Sequence, residues 1–173
     1  SGSFVNPMMS KFLELKNNIK DFSVNMNTIF FSAFFLRIFL FIILSLLAQY
    51  FFLIYKIESS EINYFIFYIL GLEYVIAGMI LSYGIILRLD KTTNRVLISS
   101  IVRFIVEITL IYLILLDYGI IAAALILLVA RYVETVSTYL FISKQRIFYL
   151  SGLILFSFIF PIIYFLFKLL IVF

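Results

Sequence analysis

The sequence predicts an all-α integral membrane protein of about five transmembrane helices. Three observations predict this: 65% of residues are hydrophobic, the mean hydropathy is +1.22, and five long apolar runs are separated only by short polar connections. A soluble domain of 173 residues needs far more polar surface to stay dissolved, so lipid is the expected solvent. Each spanning helix takes roughly 20 apolar residues, so five with their connections leave no room for a separate globular domain.

The chain opens Ser1-Gly2-Ser3, with neither a methionine nor the charged-then-apolar layout of a signal peptide. Such a start is expected of an appended scar or of a fragment. Residues 1–27 form the most polar stretch. After Pro7, Met8, Phe12, Leu15, Ile19 and Phe22 fall on one helical face, with Glu14, Asn17 and Lys20 on the other and Lys16 at its flank. We expect a cytoplasmic amphipathic loop segment, either docked on the bundle or lying in the headgroup plane with its lysines toward anionic lipid. The short apolar face favours docking.

Residues 28–173 are expected to form the transmembrane bundle. The first run is Thr28–Tyr55. The second, Ile62–Leu87, carries Gly71, Gly78 and Gly84, read as positions of close helix contact. The third is Val96–Leu116 and the fourth Gly119–Ile142. The fifth, Ile147–Phe173, has Pro161 in its middle, where the missing N–H should kink the helix. Each run can cross a hydrocarbon core of roughly 30 Å. The connections are Lys56–Glu61, Arg88–Arg95, Asp117-Tyr118 and Ser143–Arg146, short enough that consecutive helices should be antiparallel neighbours.

Orientation follows from the basic residues, which are retained on the cytoplasmic side. One side carries Lys11, Lys16, Lys20, Arg88, Lys91, Arg95, Lys144 and Arg146; the other carries only Lys56 and Lys168. The N-terminus is therefore predicted cytoplasmic and the C-terminus external. Tryptophan is absent, so Tyr50, Tyr55, Tyr64, Tyr118, Tyr139 and Tyr149, near the run ends, are expected to supply the interfacial belt.

Composition also narrows the chemistry. The chain has no cysteine and no histidine, which removes disulfides, thiol nucleophiles, imidazole bases and the usual zinc sites. Asp21, Asp90 and Asp117 fall in loops, and no phosphate-cradling glycine loop is present. We expect no enzyme activity, no catalytic residue, no metal and no cofactor. The net charge of +4 sits mostly in loops, where it sets orientation rather than binding nucleic acid.

Six charges stand apart, because Arg37, Arg103, Arg131, Glu73, Glu107 and Glu134 lie inside the apolar runs. An ionised side chain near the bilayer centre costs at least a few kcal/mol, so it faces a partner or a wet cavity. Arg103 and Glu107 are four apart, and Arg131 and Glu134 three apart, so each pair shares a helix face. Glu73 and Arg37 have no opposite charge within a turn and are expected to pair between helices. Ser99, Thr138, Ala77 and Gly84 are placed on the same faces. The charges either neutralise one another, with end-proximal arginines snorkelling to the headgroups, or line a hydrated cavity. Charge at membrane depth on four successive helices favours the cavity, which suits a carrier of a polar or anionic solute. Arg37, Arg103 and Arg131 are the candidate substrate-binding residues; Glu73, Glu107 and Glu134 are candidates for ion coupling or charge pairing.

Three stretches resemble a known family. Phe4-Val5-Asn6-Pro7-Met8-Met9-Ser10-Lys11 is similar to its proline-serine segment leading into a basic cytoplasmic loop. Arg88-Leu89-Asp90-Lys91-Thr92-Thr93-Asn94-Arg95 is similar to a short re-entry loop. Asp117-Tyr118-Gly119-Ile120-Ile121-Ala122-Ala123-Ala124 is similar to a tight turn opening the next helix, with Ala122 where the family often has glycine. Together they resemble the polysaccharide (O-antigen type) flippases of the multidrug, oligosaccharidyl-lipid and polysaccharide exporter superfamily. The resemblance implies about twelve to fourteen helices in two related halves, this chain corresponding to part of the C-terminal half. It also implies a bacterial inner (cytoplasmic) membrane location and the flipping of an undecaprenyl-pyrophosphate-linked oligosaccharide by alternating access, with arginines meeting the anionic headgroup. The implied partners are that lipid-linked oligosaccharide, membrane lipids, and a missing N-terminal half or partner chain. Two other readings stay open: a multidrug or small-solute cation-coupled antiporter using Glu73 or Glu107, and a non-transporting membrane scaffold whose charges specify helix partners.

Overall fold

In the computed structural model, residues 19–89, 92–142 and 149–172 are described. The proline-serine stretch, most of the N-terminal amphipathic segment, and Asp90, Lys91, Lys144 and Arg146 lie outside the described residues. The described chain is all-helical. We number its helices α1 (Ile19–Leu46), α2 (Ala48–Ile54), α3 (Glu61–Leu89), α4 (Thr93–Leu110), α5 (Leu116–Leu140), α6 (Tyr149–Ser157) and α7 (Ile159–Val172); a π-helical turn, Ile111–Leu115, continues α4.

Three stretches are long and apolar enough to cross a membrane: Glu61–Arg88, Thr93–Leu115 and Tyr118–Leu140. Twenty-three residues of helix, the length of the shorter two, rise about 34 Å, which exceeds a hydrocarbon core of about 30 Å. A fourth span is present if Phe30–Leu46 and Ala48–Ile54 are taken as one broken helix. The chain thus reads as a multi-pass membrane protein.

The first run departs from expectation at both ends. Residues 19–27 belong to the first described helix, Ile19–Leu46, rather than forming a separate segment. The run is also broken at Leu47, where α1 and α2 meet at 63°. No glycine or proline marks this bend. Two residues upstream, Ser45 Oγ donates to the Phe41 carbonyl at 2.8 Å, a back-bond of the kind that bends helices.

The fifth run is divided as well. α6 ends at Ser157 and α7 begins at Ile159. Pro161 has no N–H to offer the Ser157 carbonyl one turn back, so the ladder lapses just before it. The Ser157 hydroxyl turns back to the Ile154 carbonyl at 2.6 Å. The apolar helical stretch here, Gly152–Lys168, is shorter than the three full spans.

Within the first turn of α5 the chain reverses at Gly119, whose φ of 56° and ψ of −134° are open to glycine and strained for other residues. At the opposite end of this hairpin, Arg95 Nη1 donates to the Phe141 carbonyl at 2.7 Å. That bond sets the start of α4 beside the end of α5, so the two are antiparallel. α1 and α3 are antiparallel too, since Phe30 stacks near Tyr83 while Phe41 lies by Phe67 and Tyr68.

The most extensive packing joins α3 and α5, which are not consecutive. They run parallel: Glu73 meets Arg131, and ten residues further along α3, Tyr83 meets Tyr139. One core patch gathers Phe30 and Phe34 of α1, Met79 and Ile86 of α3 and Leu155 of α6. A second joins Ile69 and Ile76 of α3 to Leu125 and Leu128 of α5 and Ile162 of α7. Ala122, Ala124 and Ala130, all buried, let the α5 backbone approach closely. α4 is the outer helix, with 6% of its apolar window buried, so most of that window is uncovered by the other described helices.

Candidate functional site

Five charged side chains from three helices join end to end. On α4, Arg103 Nε donates to Glu107 Oε1 at 2.7 Å, and Arg103 Nη1 reaches Glu134 Oε2 on α5 at 3.4 Å. Arg131 Nη1 donates to the same Glu134 oxygen at 2.8 Å, and Arg131 Nε donates to Glu73 Oε1 on α3 at 2.6 Å. The other Glu134 oxygen, Oε1, accepts from Ser100 Oγ at 3.0 Å. The order is therefore Glu107, Arg103, Glu134, Arg131, Glu73.

Local geometry builds the links within helices. Residues three or four apart stack on one face, which brings Arg103 over Glu107 and Arg131 over Glu134. Packing builds the links between helices: Ser99, fully buried, lets α4 seat against α5 and carries Ser100 and Arg103 to Glu134. Thr135 and Thr138 direct their hydroxyls onto the Arg131 and Glu134 carbonyls, both at 2.8 Å, so neither needs a partner elsewhere in the core.

Glu134 is the centre of the chain of ions. Its side chain is 9% exposed, against 20% to 24% for the other four. A buried carboxylate is tolerated when its charge and lone pairs are met, and here both oxygens have donors. Two guanidinium groups stand against three carboxylates, so the group carries one surplus negative charge when all are ionised. Glu73 and Glu107 each accept through Oε1 alone among the described residues.

Arg37 lies apart. It does not pair with Glu73, contrary to the sequence expectation. Its Nη1 donates to the Tyr74 carbonyl at 2.8 Å, and the guanidinium carbon sits 4.7 Å from the Tyr74 ring centroid. Its stem fills space left by Gly78, where a methyl group would overlap Arg37 Cδ. The reason for the exchange is angular. Successive helical residues point about 100° apart, so the α3 face that meets α1 presents Tyr74 and Gly78 while Glu73 turns toward α5.

All six nominated charges are thus placed: five in one network and Arg37 outside it. Sequence reasoning missed Ser100, naming its neighbour Ser99, whose hydroxyl instead bonds the Arg95 carbonyl at 3.0 Å. The signal was available, because Ser100 precedes Arg103 by three and shares its face. Among the described residues no group of three His, Cys, Asp or Glu could hold a metal ion.

Two open cavities lie beside the α2–α3 connection. One, about 740 Å³, is lined by Gln49, Phe52, Lys56 and Glu58, among others; the second, about 470 Å³, by Glu61, Tyr68, Tyr164 and Lys168, among others. Tyr64 lines both, and no residue of the ion network lines either. Comparison of the chain with known protein families, characterised proteins and solved structures finds no match.

Proposed function

We propose that this chain is part of a membrane transporter that flips a lipid-linked (undecaprenyl-pyrophosphate) oligosaccharide for polysaccharide export by alternating access. In this reading it supplies about five transmembrane helices from one half of a two-halved bundle in the bacterial cytoplasmic membrane, N-terminus inside and C-terminus outside. The observation that carries the reading is the ion network, whose four outer side chains are about one-fifth exposed in the middle of membrane-length helices. Hydrocarbon does not tolerate such groups, so water or a further polypeptide covers them. A hydrated path shared with a missing half meets that requirement.

The arginines divide the work. Arg103 and Arg131 are already neutralised by carboxylates, whereas Arg37 is held by a carbonyl and a ring face and meets no carboxylate among the described residues. Arg37 is therefore the cation that meets a pyrophosphate first, and the other two bind it only when the network opens. The test is complementation: the native gene is deleted, the full reading frame restored, and surface polysaccharide assayed with alanine at Arg37, Arg103 or Arg131. Loss of polysaccharide with normal membrane insertion is expected. Normal polysaccharide in the deletion and in every variant sinks the reading.

A cation-coupled antiporter is favoured by one separate observation, the surplus carboxylate. An excess negative charge at membrane depth draws a proton or a monovalent cation, and Glu73 and Glu107 have the less committed oxygens. Drug efflux that follows an imposed proton or sodium gradient and fails in Glu73→Gln supports that alternative.

A further inference from the structure

The end of α2 places a lysine where helix termination favours glycine. Ile57 N donates to the Phe52 carbonyl at 2.8 Å and Lys56 N to the Leu53 carbonyl at 3.3 Å. These two bonds form a Schellman motif, and its left-handed position holds Lys56, with φ of 53°. Glycine takes that conformation more easily than any residue with a Cβ. The lysine side chain forms no ion pair among the described residues, yet it lines the larger of the two cavities.

The neighbouring groups are held in place. Ser60 N and Asn63 Nδ2 both donate to the Glu58 carbonyl, at 2.9 and 2.7 Å. The Tyr64 ring, on the wall between the cavities, is braced by Phe52 at a centroid distance of 4.8 Å. Each cavity has one ammonium and one carboxylate that do not pair with each other: Lys56 with Glu58, and Lys168 with Glu61. A phosphate would meet a carboxylate in either lobe, and a bare cation would meet an ammonium. A sugar hydroxyl both donates and accepts, so a neutral polyol satisfies both charges at once. Tyr64, Tyr68 and Tyr164 add apolar ring faces with phenolic edges, which match the C–H face and hydroxyl rim of a pyranose. The cavity sizes fall in the range of small-molecule sites.

We propose that the groove divided by Tyr64 is a saccharide-binding site, with a pyranose ring stacked on Tyr64 and its hydroxyls bonded by Lys56 and Glu58 in one lobe and by Lys168 and Glu61 in the other. The proposal deepens the transporter reading, on which it rests for the source of the sugar. It gives the glycan part of the cargo a resting place away from the ion network.

Saturation-transfer NMR on the full chain in glycolipid-free nanodiscs tests it, with chitotriose and maltotriose as neutral probes and glycerol phosphate as the anionic one. Ring protons of at least one trisaccharide should saturate, and glycerol phosphate should not. Tyr64→Ala should weaken trisaccharide binding about tenfold, while Tyr64→Phe keeps the stacking. Lys56→Gly should weaken binding about threefold with unchanged or higher thermal stability, because glycine suits the left-handed position. The proposal is overturned by no saturation of either trisaccharide, by saturation that survives Tyr64→Ala and Lys56→Gly together, or by preference for glycerol phosphate. If polysaccharide export is lost in Arg37→Ala while neither trisaccharide binds, the groove assignment alone fails. If trisaccharides bind but export survives the deletion and every arginine variant, the transporter reading fails and the groove stands.

Discussion

Glu134 accepts from two arginines and a serine, so it is the residue whose charge the network can least lose. Glu134→Gln should destabilise the fold by about 2 kcal/mol, the loss of hydrogen bonds to a charged group rather than of charge balance, since each arginine keeps one carboxylate. Glu107→Gln should cost about 1 kcal/mol or less, because Glu107 is more exposed and has one partner. Thermal unfolding in detergent, followed by circular dichroism, checks both; equal losses would contradict the central role of Glu134. Gly78→Ala should displace Arg37 and reproduce the export defect of Arg37→Ala, whereas Gly84→Ala, with open space at its Cβ, should not. The pairs Arg103–Glu107 and Arg131–Glu134 were legible from spacing alone. The partner of Glu73 was not, because a single step along α3 decides between α1 and α5, and no sequence pattern fixes that rotation.

At the scale of elements, breaks in the helices were legible where a residue type compels them. Gly119 was read as a turn and adopts a positive φ; Pro161 was read as a kink, and the ladder lapses just before it. The bend at Leu47 was hidden, since its only local mark is a serine hydroxyl bonded back to its own helix. Gly119→Ala should cost about 1–3 kcal/mol through backbone strain, visible as a lowered unfolding temperature. Pro161→Ala should restore an N–H to the Ser157 carbonyl and join α6 to α7. Amide exchange at residues 157–162 would then slow, and unchanged exchange would mean that packing rather than the proline makes the break.

Across the whole molecule, apolar content and run length made the helical, membrane-spanning character plain. The parallel α3–α5 core was not legible, because short connections report only which consecutive helices are neighbours. The proposed orientation is directly testable, as the chain has no cysteine of its own. A membrane-impermeant maleimide should label Ser59→Cys in intact cells and leave Asn94→Cys unlabelled until the membrane is opened; the reverse pattern would invert the topology. The scaffold reading belongs at this scale too. If Arg37, Arg103, Arg131, Glu73, Glu107 and Glu134 are all made neutral and cellular function survives apart from lower expression, the charges serve helix pairing alone.

The bond between Glu73 and Arg131 spans 58 positions of sequence, and that separation sets a timetable for biogenesis. At about 5–20 residues per second, the ribosome delivers Arg131 roughly 3–12 seconds after Glu73. For that interval the helix bearing Glu73 has no arginine to neutralise it from the far side of the bundle. It must wait at the translocon or be held by an insertion chaperone. A stall in synthesis between the two residues would lengthen the wait and send more of the nascent protein to degradation.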